Sequence, residues 1–135
     1  MAKNILDASV ILKWFTKEED SDKAIAYLKA FQNNDIIIIV PSLLFYELGN
    51  AFIRKKEPKY FIADIGLKLQ NLQLEVRDVG LPLFQKIYQN ALDYSLTFYD
   101  ASYLTLMQEE NCEFITADKK LYEKVKKKFA LVKLL

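Results

Sequence analysis

The chain has 135 residues, 52% hydrophobic and 27% charged, with a net charge of +1. Residues 1–135 are read as one globular domain able to bury its own core. Histidine is absent and Cys112 is the single cysteine, which excludes Ser-His-Asp and Cys-His catalysis, histidine-based zinc sites and an internal disulfide.

Strands and helices alternate along the sequence. Asn4–Leu6 is a short first strand, and a helix is predicted from Ala8 to Phe15, with another over Asp22–Gln32. Ile36–Val40 is an apolar, β-branched run, as expected of a strand buried on both faces. Pro41 and Ser42 then start a helix over Leu43–Lys55. Pro58–Leu72 reads as a helix, Leu74–Val79 as a strand and Leu81–Ser95 as a helix. Thr97 caps a further helix that runs through Glu110. Glu113–Thr116 is a strand, Lys119–Lys128 a helix and Leu131–Leu134 a final strand. This alternation predicts an α/β fold: a three-layer α/β/α sandwich around a central, mostly parallel sheet. In such sheets, sites form beyond the carboxyl ends of the strands.

No apolar run approaches the roughly 20 residues needed to cross a membrane. The N-terminus has no secretory hydrophobic region, so the expected location is cytoplasmic. Basic residues cluster in two places. Between Lys119 and Lys133 stand seven lysines against one acid, Glu123, and Arg54, Lys55, Lys56 and Lys59 form a second group. Either a solvated face or a contact for phosphates accounts for such clusters.

Four carboxylates stand out by position. Asp7 follows the first strand, and Asp118 follows the fourth in Ile115-Thr116-Ala117-Asp118. Asp100 lies in Thr97-Phe98-Tyr99-Asp100, and Glu47 lies in Leu43-Leu44-Phe45-Tyr46-Glu47-Leu48. Asp7 and Asp118 could each cap the helix that follows, and Asp100 fits a capping box with Thr97. Glu47 has no such alternative. It is more than a turn inside its helix, on a mostly apolar face, with no lysine or arginine three or four residues away. Asp7 and Asp118 leave strand ends, and Glu47 lies on the helix after a third strand. The four can therefore converge on one edge of the sheet. Acids gathered there repel by about 3 kcal/mol per pair at 5 Å and an effective dielectric near 20. They must take up protons or hold a cation. Oxygen-only ligands favour Mg²⁺ or Mn²⁺ over zinc.

The segments Leu6-Asp7-Ala8-Ser9, Glu47-Leu48-Gly49-Asn50-Ala51, Tyr99-Asp100-Ala101-Ser102-Tyr103-Leu104 and Ile115-Thr116-Ala117-Asp118-Lys119-Lys120-Leu121 occur in this order. In that order and at those separations the chain resembles PIN domains, more narrowly the VapC-type toxins of toxin–antitoxin pairs. The resemblance spans residues 4 to about 134. It implies a Mg²⁺- or Mn²⁺-dependent endoribonuclease, a homodimer, and an antitoxin partner that blocks the site. Carried over by motif, Asp7, Glu47, Asp100 and Asp118 form the acidic, metal-binding site, with Asp7 and Asp100 the surest ligands and Asp118 acting through water. Thr116 and Ser9 supply neighbouring hydroxyls. Asn50, one turn beyond Glu47, is a further candidate to face the pocket.

The chemistry so implied is metal-assisted hydrolysis of an RNA phosphodiester, with the nucleophilic water activated without histidine. The lysine clusters would hold the RNA backbone, and Trp14, Phe15 and Tyr99 are candidates to stack on unpaired bases. Rival readings are a catalytically silent PIN-like module that binds RNA or protein, a DNA-cutting version of the same site, and a phosphate-handling enzyme. A haloacid-dehalogenase-like phosphatase requires Asp-x-Asp after the first strand, where this chain has Asp7-Ala8-Ser9. A phospho-acceptor receiver requires an aspartate at a mid-chain strand end, for which Asp78 is the candidate.

Overall fold

The computed structural model describes residues 1–55 and 59–135, the side chains of 59–63 excepted. Pro58, read as a helix start, and Lys56 lie outside the described residues. So does the side chain of Lys59.

The observed order is β1 (Ala2–Leu6), α1 (Ala8–Ile11), a 3₁₀ turn (Leu12–Trp14), α2 (Ser21–Gln32), β2 (Ile36–Pro41), α3 (Leu43–Lys55) and α4 (Lys59–Leu72). It continues with β3 (Glu75–Arg77), α5 (Phe84–Tyr94), α6 (Phe98–Glu110), β4 (Glu113–Thr116), α7 (Lys119–Val125) and β5 (Val132–Leu134). The five strands lie in the order β3-β2-β1-β4-β5, and every pair is parallel.

Strand alternation divides the core into two layers. Ile5, Ile39 and Phe114 face one side, where they pack with Ile87 of α5, Leu104 of α6 and Val125 of α7. Leu6, Ile38, Val40 and Ile115 face the other, with Val10 of α1, Ala24 of α2, Leu48 of α3 and Ile65 of α4. The α/β/α sandwich expected from the sequence is therefore present.

The topology places the acids. The chain builds β2 and β3 on one side of β1, then crosses to build β4 and β5 on the other. A crevice forms where the order switches, at the carboxyl ends of β1 and β4. Asp7 and Asp118 leave these two ends. α3 starts from the carboxyl end of the neighbouring β2. α6 feeds into the amino end of β4, so its own first turn lies over the same carboxyl edge. Asp78 follows β3, an edge strand separated from β1 by β2, which is the wrong place for a receiver's acceptor.

Several predicted boundaries move. The helix expected over Ala8–Phe15 breaks after Ile11 into a 3₁₀ turn. There the Trp14 indole donates to the Ala24 carbonyl at 2.8 Å, so contact with α2 overrides helix propensity. Helix α5 starts at Phe84 instead of Leu81. Turn bonds from Leu83 N–H to Val79 and from Phe84 N–H to Leu81 carry the chain around Pro82 first.

Candidate active site

Asp7 is 6% exposed, the most enclosed of the four acids. Its Oδ1 accepts from the backbone N–H of Ser9 at 3.0 Å and of Val10 at 3.3 Å, and from the Ser9 hydroxyl in a very short bond. Its Oδ2 accepts from Thr116 Oγ1 at 2.5 Å. Thr116 is fully buried and also accepts from Asp118 N–H at 3.1 Å, while Ser9 Oγ accepts from Ala117 N–H at 2.9 Å. Two hydroxyls thus stitch the exit of β1 to the exit of β4.

The capping role and the site position coincide. Asp7 caps α1, and Asp118 caps α7 through Oδ1, which accepts from Lys120 N–H at 3.0 Å and Leu121 N–H at 3.1 Å. Asp118 is exposed, and among the described residues no hydrogen bond reaches its Oδ2. The Thr97 hydroxyl caps α6 by accepting from Asp100 N–H at 3.0 Å.

Glu47 is half-buried on α3. Its Oε1 accepts from the Tyr103 hydroxyl at 2.7 Å. Tyr103, one turn past Asp100 on α6, is 1% exposed and stacks on Phe114 with centroids 5.6 Å apart. Sequence reasoning passed over Tyr103. The available signal was its place one turn from Asp100 in an otherwise apolar run.

The acids act on one another. Burial pushes Asp7 up to about 6, against the pull of the Ser9 and Thr116 hydroxyls, and the charge of Asp100 adds to the rise. Burial likewise pushes Glu47 up to about 7, and Asp7 and Asp100 push the same way. Asp100 is raised by burial and then by Asp118, while the Thr97 hydroxyl and Lys124 pull it back. Lys124, a member of the C-terminal lysine cluster, also donates to the Ser95 carbonyl at 2.8 Å. Among the described residues, none of the four acids forms an ion pair with lysine or arginine.

The structure brings Asp7, Ser9, Thr116 and Asp118 into one hydrogen-bonded group, and couples Glu47 and Asp100 to it electrostatically. Asn50 is exposed on α3 and, among the described residues, has no hydrogen bond to the group. Trp14 and Phe15 are half-buried, Phe15 edge-on to Phe52 at 5.9 Å, and both line a cavity with Leu28, Gln32 and Lys68. Tyr99 is 60% exposed.

The donor chemistry fits a hard cation: four carboxylates with, among the described residues, no nitrogen or sulfur ligand beside them and no ion pair to lysine or arginine. The spacing does not close a cage. Among the described residues, no three acidic or cysteine side chains are gathered tightly enough to hold a metal ion.

The sequence matches the family model "PIN domain" over residues 5–128. A search of curated proteins gives no match. Among solved structures, the chain is similar to PAE2754 from Pyrobaculum aerophilum, with TM-score 0.69 and 23% identity over 91% of this chain and 79% of that one. It is also similar to VapC20 from Mycobacterium tuberculosis, described as a Sarcin-Ricin loop cleaving toxin, with TM-score 0.68 and 12% identity over 89% and 93% of the two chains. A third similar structure is VapBC2 from Rickettsia felis, bound to a DNA fragment from its promoter, with TM-score 0.62 and 13% identity over 98% and 97%.

Proposed function

Because the chain belongs to the PIN domain family, we propose that it is a metal-dependent endoribonuclease, the toxin of a VapBC-type toxin–antitoxin pair. One observation carries this reading: Asp7, Glu47, Asp100 and Asp118 stand around the switch point of a parallel sheet, the first three are raised by burial and by a neighbouring acid, and among the described residues no lysine or arginine is ion-paired to any of the four. The similarity to VapC20 and VapBC2 supports a cytoplasmic toxin that acts on RNA and is held by an antitoxin. The homodimer remains part of the proposal, resting on the resemblance to VapC-type toxins.

Asp7, Glu47 and Asp100 would hold Mg²⁺ or Mn²⁺, with Asp118 acting through water. Bound there, the cation would lower the pKa of a water and offset charge on the phosphate. The protein's own groups do the rest. Ser9 and Thr116 keep Asp7 in one orientation. Glu47, whose Oε1 accepts from Tyr103, would turn Oε2 to the cation. Asp118, which among the described residues leaves Oδ2 without a hydrogen bond, is placed to take the proton of the attacking water. The water oxygen bonds to phosphorus, the bond from phosphorus to the 3′ oxygen breaks, and the products are a 5′ phosphate and a 3′ hydroxyl. Exposed lysines of α7 and the segment after it, among them Lys120, Lys124 and Lys127, hold flanking phosphates.

The test is cleavage of labelled RNA and DNA oligonucleotides with and without Mn²⁺. The reading expects cutting of RNA that needs the metal and falls at least about 10³-fold in Asp7→Asn. Equal cutting by Asp7→Asn and wild type defeats it. Binding without cutting favours the silent RNA-binding module.

A further inference from the structure

Tyr103 lies within Ala101–Met107, a stretch of α6 that is buried throughout. A buried phenol needs a partner for its hydroxyl. The Tyr103 oxygen accepts from the Ala8 backbone N–H, and its hydroxyl takes an acceptor, Glu47, from the far layer of the sandwich. Its own core cluster packs α5, α6 and α7 on one face of the sheet, whereas Leu44, Leu48 and Phe52 of α3 belong to the cluster on the other. The bond from Tyr103 to Glu47 Oε1, 2.7 Å long and spanning 56 residues of sequence, joins the two helical layers at the sheet edge that carries the acids.

The two partners differ in stiffness. Tyr103 is fixed by burial and by its stack on Phe114, whose ring lies within 9° of parallel. Glu47 is half-exposed, with a flexible side chain that costs conformational entropy to hold still. Among the described residues, the phenol is the one side-chain hydrogen-bond donor that Glu47 has.

We infer that Tyr103 is a positioning residue for the proposed metal site: its hydroxyl commits one oxygen of Glu47 and thereby fixes where the other is presented. The inference rests on the four-acid reading above. It differs from that reading in assigning a role to a residue that touches neither metal nor RNA.

Tyr103→Phe removes the hydroxyl and keeps the ring and its stack. The primary measurement is the dissociation constant for Mn²⁺, read from the EPR signal of the free ion, with no RNA present. Wild type is expected to bind Mn²⁺, and Tyr103→Phe to bind it about tenfold more weakly, the usual scale for removing a group that orients a ligand. In RNA cleavage the expected loss falls on kcat and leaves KM unchanged. In a Glu47→Ala background the added Tyr103→Phe change should have no further effect on Mn²⁺ binding, because the hydroxyl then has nothing to position. Should Tyr103→Phe fail to fold, 4-fluorophenylalanine at position 103, which fills the hydroxyl's space without donating a hydrogen bond, is read in its place with the same tenfold loss expected. Mn²⁺ binding equal to wild type in the folded variant overturns the inference and leaves the nuclease reading standing. So does an equal further loss in the Glu47→Ala background, which marks Tyr103 as merely structural. Wild type that binds no Mn²⁺ overturns the metal-dependent reading itself, and this inference with it.

Discussion

Asp7 and Asp100 carry the same side chain to the same edge of the sheet, yet the chain surrounds them differently. Asp7 belongs to a half built on β1 and β4, where Ser9, Thr116 and two backbone N–H groups hold its oxygens. Asp100 and Glu47 belong to a half built on helices. There each acid leans on few donors, the Thr97 hydroxyl for one and the Tyr103 hydroxyl for the other. The strand half is pre-organised, because its donors are the backbone N–H groups and Ser9 hydroxyl of the first turn of α1 and the buried Thr116 hydroxyl at the end of β4. The helix half is held chiefly by burial, which disfavours its charge. A cation would therefore meet one rigid wall and one that its own charge must draw in, consistent with acids that the structure does not gather into a closed cage.

This contrast can be broken from either side. The largest effect is expected in the strand half. Thr116→Val keeps the shape of a fully buried residue but leaves Asp7 Oδ2 and Asp118 N–H without their partner. Thermal melting should show a cost of about 1–3 kcal/mol, and cleavage should fall about 10–100-fold. In the helix half, Glu47→Gln should remove activity yet stabilise the metal-free protein. Folding raises Glu47 to about 7 from an ordinary value of 4.5, so the folded state holds a proton there that the unfolded chain has released. Stability from this group is accordingly lost as pH rises from about 4.5 to 7. Asp7, raised from 3.8 to about 6, adds the same trend over a lower window. Glu47→Gln should melt higher than wild type at pH 8, by about 4 °C for each kcal/mol relieved, and no higher at pH 4. Melting curves at both pH values, taken in EDTA, check this; a variant that melts lower at pH 8 would break the contrast. The smallest effect is expected at the outer rim. Lys124→Ala removes one exposed cation near Asp100 and should weaken RNA binding by less than about tenfold, in a way that salt abolishes.

Element bounds were legible in both halves: α3 and β4 begin and end at the residues read from the sequence, since Pro41-Ser42 and the switch from Asn111 to apolar Phe114–Ile115 are local signals. The acids themselves were easier to place in the strand half. Asp7 and Asp118 were legible as strand-end acids because parallel topology fixes where strand ends lie. Their use as helix caps was legible too, and the structure shows both caps. Glu47 was visible only as a misfit on an apolar face. The residue that resolves the misfit, Tyr103, is 56 positions away, and no periodicity reveals a bond that crosses the sheet edge. The pull of Lys124 on Asp100 was hidden among seven lysines of like appearance.

The central claim is that the rigid half and the burial-held half serve one cation. Mn²⁺ titration of wild type, Asp7→Asn and Asp100→Asn, followed by EPR of the free ion, tests it most directly. One acid is removed from each half, and both variants are expected to lose Mn²⁺ binding by at least about tenfold. If either variant binds Mn²⁺ as wild type does, the two halves do not share an ion and the account is contradicted.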